Sequence, residues 1–201
     1  MGHQEGGRSW LDCVRAGEPF VMVDPDFMTA LFAAKEKVTE FNAMPVGRML
    51  EEMAPRLSGL FGKIGEDSIV LPHLTLDVGF NIEIGSKTFI NQNATLLDTY
   101  PIRIGSRVLV APNCAFYPTG HPIRPADRFF RDPVTGEDRN WTSGATIVVE
   151  DDVWIGGNCV ILPGVTIGRG SMIGAGSVVT KSVPPAVFAA GNPCRVIRQL
   201  D

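Results

Sequence analysis

The residues of this chain that are best suited to catalyse a reaction surround His121. The sequence has three histidines, and His121 stands in the segment Thr119-Gly120-His121-Pro122, whereas His3 lies near the N-terminus and His73 follows Pro72. A histidine can accept a proton near neutral pH and therefore suits general base catalysis. Flanking Gly and Pro fix the backbone around this one imidazole. The motif alone is compatible with either a functional side chain or a structural turn.

A period of six residues indicates which elements position His121. An aliphatic residue recurs at every sixth position at Val149, Ile155, Ile161, Ile167, Ile173 and Val179. A helix face would return every 3.6 residues and a flat strand every second residue. The six-residue repeat instead predicts a parallel β-helix of triangular coils, each with three short strands and inward aliphatic side chains. A β-sandwich is the weaker alternative, because its strands do not keep one register over so many repeats.

Interruptions of the period indicate where the chain leaves the coil. The register holds from Ile84 to Leu96, slips by two residues at 98–101, and resumes from Ile104 to Phe116. We expect this slip to push Asp98 out of the coil. The period then stops until Val149, so residues 117–146 are predicted to form a long loop. Glycines after the repeated aliphatic, at 156, 168 and 174, are expected where the chain bends sharply.

These patterns divide the chain into three parts. Residues 1–62 lack the period, and Asp24-Pro25 is typical of a helix start, so this segment is predicted to be helical and to cover the open end of the coils. Residues 63–183 are predicted to form the β-helix, with the excursion at 117–146. Residues 184–201 follow the last coil as a tail.

Composition narrows the class of protein. No apolar run approaches the roughly 18 residues of a membrane span, and we expect neither a membrane partner nor a signal peptide. The net charge of −4 argues against a nucleic-acid partner. The four cysteines, at 13, 114, 159 and 194, have neither disulfide nor metal spacing. We therefore expect a reduced, cytoplasmic protein without a metal site.

The block from Gly79 to Leu200 resembles the maltose and galactoside O-acetyltransferases, which fold as left-handed parallel β-helices of hexapeptide repeats. The motifs that carry the resemblance are FINQN at 89–93, PIRIG at 101–105, TGHP at 119–122, VWIGG at 153–157 and AGNPCRVIR at 190–198. The resemblance implies transfer of acetyl from acetyl-CoA to a hydroxyl of a sugar or a similar acceptor. It also implies a homotrimer with each active site between two subunits, and His121 as the base that deprotonates the acceptor hydroxyl.

The resemblance assigns further site residues by position. Asn91, Asp98 and Asp77 would bind the acceptor. The residues that would hold acetyl-CoA are Trp154, Gly157, Ala175, Thr180, Lys181, Arg195 and Arg198, with the Gly157 N–H also stabilising the oxyanion. From the residues alone, Asp98 could equally serve a turn and the basic residues a solvated surface.

Two departures from the family leave the sugar open. Thr99 stands where some galactoside-acting relatives have an acid, and Asp77 stands where those relatives have a small residue with a hydroxyl. Separately, Asn140 stands where many relatives have Glu, near the end of the long loop. The loop at 122–146 is longer than in the better-known relatives, and it could cover the acceptor site, contact a neighbouring chain or be solvated. Its arginines and aromatic residues are Arg124, Arg128, Phe129, Phe130, Arg131, Arg139 and Trp141.

Other functions stay open at this point. A zinc hydratase like carbonic anhydrase would need about three imidazoles, whereas the coil has only His73 and His121. Cys114 or Cys159 could act as a nucleophile, although neither sits in an activating motif. A hexapeptide coil could also be a non-catalytic scaffold. Within the transferases, serine or a xenobiotic could be the acceptor.

Overall fold

In the computed structural model, which describes residues 8–201, three helices precede the coils. His3 lies outside the described residues, as do the other residues of the predicted helical segment up to position 7. The N-terminal elements are α1 (Trp10–Ala16), β1 (Phe20–Val21), α2 (Pro25–Asn42), a 3-10 turn (Val46–Arg48) and α3 (Met49–Ser58). The carboxylate of Asp24 accepts hydrogen bonds from the N–H groups of Asp26 and Phe27, both at 3.0 Å. The predicted cap of α2 is therefore confirmed.

The repeat of six residues forms three parallel sheets. Sheet I contains β2 (Lys63–Ile64), β5 (Ile82–Ile84), β8 (Ile102–Ile104), β14 (Ile147–Val149) and β17 (Thr166–Ile167). Sheet II contains β3 (Ile69–Val70), β6 (Phe89–Ile90), β9 (Leu109–Val110), β15 (Trp154–Ile155), β18 (Met172–Ile173) and β20 (Val187–Ala190), and β21 (Arg195–Gln199) joins β20 in antiparallel orientation. Sheet III contains β4 (Thr75–Leu76), β7 (Thr95–Leu96), β10 (Ala115–Phe116), β16 (Val160–Ile161) and β19 (Val178–Val179).

The repeated aliphatic side chains fill the inside of the coils. Each of the six from Val149 to Val179 has at most 1% of its surface exposed. Burying one such side chain contributes about 1.5–3 kcal/mol relative to leaving it in water. Residues of α2 and α3, among them Phe41 and Leu57, belong to the same core and close its first end. The predicted fold class, a parallel β-helix with an N-terminal helical segment, is confirmed.

Gly156, Gly168 and Gly174 are explained by stacking of coils. A Cβ atom on Gly156 would lie 2.6 Å from the backbone nitrogen of Ala175, in the next coil. The left-handed backbone conformations occur two residues later, as at Asn158 with φ 58° and Gly176 with φ 73°. The predicted cause, a sharp bend at the glycine itself, is therefore wrong, since the neighbouring coil excludes the side chain.

Two edges of the triangular prism carry all but one of the predicted site residues that lie on the coils. Edge II–III joins sheet II to sheet III and contains Asn91, Gly157 and Ala175. Edge III–I joins sheet III to sheet I and contains residues 77–81, 98–101 and 180–182. The excursion that contains His121 also leaves the coil at edge III–I, between β10 and β14.

The excursion is more ordered than the predicted loop. It contains β11 (Thr119–Gly120), α4 (Pro125–Arg128), β12 (Phe129–Arg131) and β13 (Asp138–Gly144). β12 and β13 form an antiparallel hairpin, and β13 also pairs with β11 and with β1 of the N-terminal segment. The N-terminal segment therefore holds the excursion in place from one side.

Candidate active site

The imidazole of His121 is oriented by the hairpin. Its Nδ1 lies 2.8 Å from the backbone carbonyl oxygen of Trp141, on β13. Because a carbonyl oxygen only accepts hydrogen bonds, Nδ1 carries the proton and the neutral ring keeps the lone pair of Nε2. His121 is exposed, so this lone pair is accessible from outside the chain. The geometry is that of a general base held in one tautomer.

The backbone N–H groups of Gly157 and Ala175 lie on the other edge. Their neighbours Gly156 and Asn158 donate to carbonyl oxygens of adjacent coils, at 2.8 Å and 3.0 Å. In the part of the chain that the structure describes, the N–H groups of Gly157 and Ala175 have no acceptor. Consecutive coils are about 4.8 Å apart, so edge II–III presents two neighbouring free donors. Such donors suit a carbonyl oxygen that becomes negative.

Asp98 is buried, and the predicted outward bulge is wrong. Its side chain has no exposed surface. Oδ1 accepts from the N–H groups of Asp77 at 2.9 Å and Val78 at 3.0 Å, and Oδ2 accepts from the N–H of Asn81 at 3.3 Å. The two residues added at 98–101 therefore fold inward over edge III–I. This places the Asp98 carboxylate where it holds the turn at 77–81 of the preceding coil. Burial raises the pKa of Asp98 to about 6, although backbone N–H groups of residues 77–79 oppose the rise.

Thr99 has a defined role in the same cluster. It is buried, and its hydroxyl donates to Oδ2 of Asp77 at 2.8 Å. Nζ of Lys35, on α2, lies 3.6 Å from Oδ1 of the same carboxylate. The hydroxyl of Thr99 therefore orients Asp77. The side chain of Asp77 keeps 18% of its surface exposed, so a ligand can still reach it.

The three predicted acceptor residues do not meet within one chain. Asp77 and Asp98 lie on edge III–I, as does the exit of the His121 excursion, whereas Asn91 lies on edge II–III. The carboxamide oxygen of Asn91 accepts from the N–H of Gln92 at 2.8 Å. One chain therefore presents two partial sites on two edges.

Two of the three basic residues predicted to hold acetyl-CoA line one groove. Lys181 and Arg195 border a groove of about 290 Å³ together with Ser182, Cys194 and Val196. Arg198 lies on β21 beyond the groove, where it pairs with Phe188 of β20, and it is exposed. Thr180 is exposed beside Lys181 at edge III–I. The groove brings positive charge to the last coil, where an anionic group would be bound.

Trp154 points outward from sheet II and has 49% of its surface exposed. Its strand neighbours are Leu109 and Met172, in the coils on either side. The outward side chains of the sheet form an apolar column, which we call the sheet II stripe, consisting of Ile69, Phe89, Leu109, Trp154, Met172 and Phe188. The stripe is a flat apolar surface that runs the length of the prism.

Comparisons with known proteins agree with this architecture. Residues 146–181 match the family model described as bacterial transferase hexapeptide (six repeats). A galactoside O-acetyltransferase of Escherichia coli (strain K12) is 37% identical over 94% of this chain and 88% of its own length. The chain belongs to the hexapeptide-repeat acetyltransferases.

Solved structures of hexapeptide-repeat acetyltransferases have the same fold as this chain. A galactoside acetyltransferase in complex with coenzyme A superposes with a TM-score of 0.87 at 36% identity, covering 96% of this chain and 92% of the other. A hexapeptide-repeat acetyltransferase of Vibrio cholerae, complexed with acetyl-CoA, gives a TM-score of 0.83 at 36% identity and covers 96% and 100%. The family and the enzyme class that the sequence predicts, an acetyl-CoA-dependent acyltransferase, are confirmed.

The cysteines of this acetyltransferase are poor candidates for a nucleophile. Cys114 and Cys159 have no exposed surface, and their thiols donate to the carbonyl oxygens of Gly156 and Gly174, both at 3.2 Å. The neighbouring Cys159 side chain and burial raise the pKa of the Cys114 thiol. An acyl donor cannot reach either sulfur without opening the coil.

Within residues 8–201, the structure has neither a cluster of metal ligands nor a helix that could span a membrane. No group of three or more His, Cys, Asp or Glu side chains is placed to hold a metal ion. None of the helices in this range has the length and apolar character that crossing a bilayer requires.

Proposed function

We propose that this acetyltransferase moves acetyl from acetyl-CoA to a sugar hydroxyl by direct attack, with His121 as the general base. The observation that carries the proposal is the hydrogen bond between Nδ1 of His121 and the Trp141 carbonyl oxygen, which leaves Nε2 as an exposed acceptor. The sugar acceptor is supported by the galactoside and maltose O-acetyltransferases to which this chain is similar, at 34–37% identity.

The reaction needs one proton acceptor and one oxyanion donor. Nε2 of His121 takes the hydroxyl proton as the sugar oxygen attacks the thioester carbon and forms the new C–O bond. The resulting oxyanion accepts from the N–H of Gly157, which has no other acceptor in the described residues. The C–S bond then breaks, and the imidazolium returns the proton to the CoA thiolate. No covalent enzyme intermediate is needed.

Acetyl-CoA binding is supported by the relatives and by the charge of the last coil. Two of the similar structures hold coenzyme A or acetyl-CoA. Lys181 and Arg195 in the groove suit the phosphates of CoA, and Trp154 offers an apolar surface beside edge II–III. The proposed location is the cytoplasm, where acetyl-CoA and reduced thiols such as those of Cys114 and Cys159 coexist.

The proposed assembly is a homotrimer. His121 and Gly157 lie on different edges of one chain, so the full catalytic set forms only where edge III–I of one subunit meets edge II–III of another. The sheet II stripe provides apolar surface for such an association, because an exposed stripe of this kind usually marks an interface.

The deciding experiment is a thiol-release assay with acetyl-CoA and a panel of acceptors, combined with two histidine variants. We expect a pyranoside acceptor to support turnover and His121→Ala to lower kcat by about 10²–10⁴-fold. His73→Asn is the matched control, because His73 is an exposed turn residue with φ 65° and the equivalent positions of the next coils are Asn93 and Asn113. If His121→Ala kept kcat within about tenfold of wild type, the base role would be lost.

A further inference from the structure

An aromatic pair lies on the hairpin whose backbone orients His121. The rings of Phe130 and Trp141 stack with centroids 4.8 Å apart and an angle of 24° between their planes. Trp141 is also the residue whose carbonyl oxygen binds Nδ1 of His121. Both aromatic side chains are only half-buried, so each keeps surface that a ligand can touch.

The register of the hairpin shows which side carries the pair. Phe130 is paired with Arg139, and Phe129 with Asn140. Side chains alternate along a strand, so Phe130, Arg139 and Trp141 share one face while Asn140 and Thr142 share the other. Thr142 is buried and its hydroxyl contacts the sulfur of Met22 at 3.3 Å. The aromatic face is therefore the one opposite the side chains that pack against the N-terminal segment.

The arginines of the excursion are already engaged within it. Arg139 lies 3.5 Å from Asp132 and 3.0 Å from Glu137, and Arg131 lies 3.5 Å from Asp138. Arg128 donates to the carbonyl oxygens of Pro122 and Ile123, and Arg124 lies 3.6 Å from Asp127. The arginines thus brace the excursion, and the exposed part of the Phe130–Trp141 pair is uncharged.

We propose that the Phe130–Trp141 pair is the platform that binds the ring of the acceptor and determines acceptor specificity. The face of an aromatic ring is electron-rich, so it attracts the C–H groups on the apolar face of a pyranose or the edge of another aromatic ring. The ligand class is therefore an uncharged ring that bears a hydroxyl, rather than a small zwitterion such as serine. The inference rests on the proposed function, since it places the ring where its hydroxyl meets His121.

The test compares Trp141→Leu and Trp141→Phe, both of which keep the backbone carbonyl that orients His121. The acceptors are a methyl pyranoside, benzyl alcohol, glycerol and L-serine, at saturating acetyl-CoA. We expect Trp141→Leu to raise the KM of the ring acceptors about three- to tenfold, with partial recovery in Trp141→Phe. The KM of acetyl-CoA should stay unchanged, and kcat/KM for glycerol should fall much less than kcat/KM for the preferred ring acceptor. Whichever ring acceptor is preferred identifies the ring chemistry.

Val134→Ser is the matched control, because Val134 lies in the same hairpin with 91% of its surface exposed and away from the aromatic pair. Thermal melting of each variant shows whether the hairpin still folds. An equal loss for glycerol and the pyranoside, or a rise in the KM of acetyl-CoA, would overturn the platform.

A binding measurement separates this inference from the proposed function. Calorimetric titration of the methyl pyranoside and of benzyl alcohol into the His121→Ala protein needs no turnover. We expect one of them to bind, and the second substitution Trp141→Leu to weaken that binding about three- to tenfold. If wild type acetylates no acceptor, the proposed transfer fails while the titration still decides on the platform. Binding that does not depend on Trp141, or no binding of either ring, would refute it.

Discussion

At the residue scale, the side chains nearest the proposed chemistry are held by backbone groups. The Trp141 carbonyl oxygen fixes His121, and three backbone N–H groups hold the carboxylate of Asp98. Such contacts fix geometry without requiring a particular partner side chain. Asp98 acts here as a positioning residue, because it fastens the turn that carries Asp77.

The burial of Asp98 predicts a pH-dependent stability. Its pKa is raised to about 6 from a usual 3.8, so between about pH 4 and pH 6 the folded chain binds more protons than the unfolded chain. The contribution of Asp98 to the free energy of unfolding is therefore full below about pH 4 and is lost as the pH rises through 6. Relative to Asp98→Asn, wild type should lose ~3 kcal/mol between pH 4 and pH 7.

Denaturant unfolding of both proteins at several pH values measures this difference. Asp67→Asn is the control, since Asp67 is an exposed turn carboxylate in the first coil. Parallel pH profiles of wild type and Asp98→Asn would show that the carboxylate is not destabilised by its burial.

Gly157 allows a test of its N–H with little change in shape. The register of sheet II makes Pro72 and Pro112 the equivalents of Gly157 in earlier coils, so this turn already accommodates proline. Gly157→Pro removes the N–H and should lower kcat by about 10²–10³-fold if the N–H binds the oxyanion. Gly157→Ala keeps the N–H, and its Cβ would lie 3.2 Å from the Pro112 carbonyl oxygen, which requires only a small adjustment.

Thiol release at saturating substrates gives kcat for both variants, and thermal melting shows that the coil is intact. Equal activity of Gly157→Pro and Gly157→Ala would rule out a role of the N–H in catalysis.

At the scale of elements, the last coil and the tail form the basic groove. Lys181→Ala or Arg195→Ala should raise the KM of acetyl-CoA by about tenfold or more, since a charge-assisted hydrogen bond to phosphate is worth about 1.5–3 kcal/mol. The KM of the acceptor should change little. Arg198→Ala should have a smaller effect, because Arg198 lies outside the groove.

Initial-rate kinetics with each substrate varied in turn separates the two KM values. Arg103→Ala is a suitable control, because Arg103 points outward from sheet I, away from the groove. An unchanged KM of acetyl-CoA in all groove variants would contradict the assignment of the groove.

The elements also show how far the sequence predicts this fold. The period of six predicts the coils because every sixth side chain, such as Ile155 or Ile173, meets its equivalent in the next coil. The slip at 98–101 marks where two residues are added but does not say which way Asp98 turns. The contact of His121 with the Trp141 carbonyl oxygen leaves no signal in side-chain types, since every residue has a carbonyl. The pairing of β13 with β1 joins segments about 120 residues apart, and no local pattern encodes it.

At the scale of the whole molecule, the proposed catalytic groups lie on different edges of the prism. His121 and Asp77 belong to edge III–I, while Gly157 and Ala175 belong to edge II–III. Edges III–I and II–III of one chain cannot approach each other, because the close-packed aliphatic core between them keeps the prism rigid. In the proposed homotrimer, a symmetric ring of subunits would place unlike edges together, so each site would draw on two chains.

A mixing experiment tests whether the site is shared. His121→Ala and Gly157→Pro should each be nearly inactive, and every chain in a mixture then carries one of the two lesions. If a site combines His121 of one subunit with Gly157 of the next, random mixing leaves both groups intact in about a quarter of the sites, so co-expression should recover about a quarter of wild-type kcat. If both groups came from the same chain, no mixture would regain activity. Light scattering over a range of concentrations gives the oligomeric state, and a fully active monomer would refute the shared site outright.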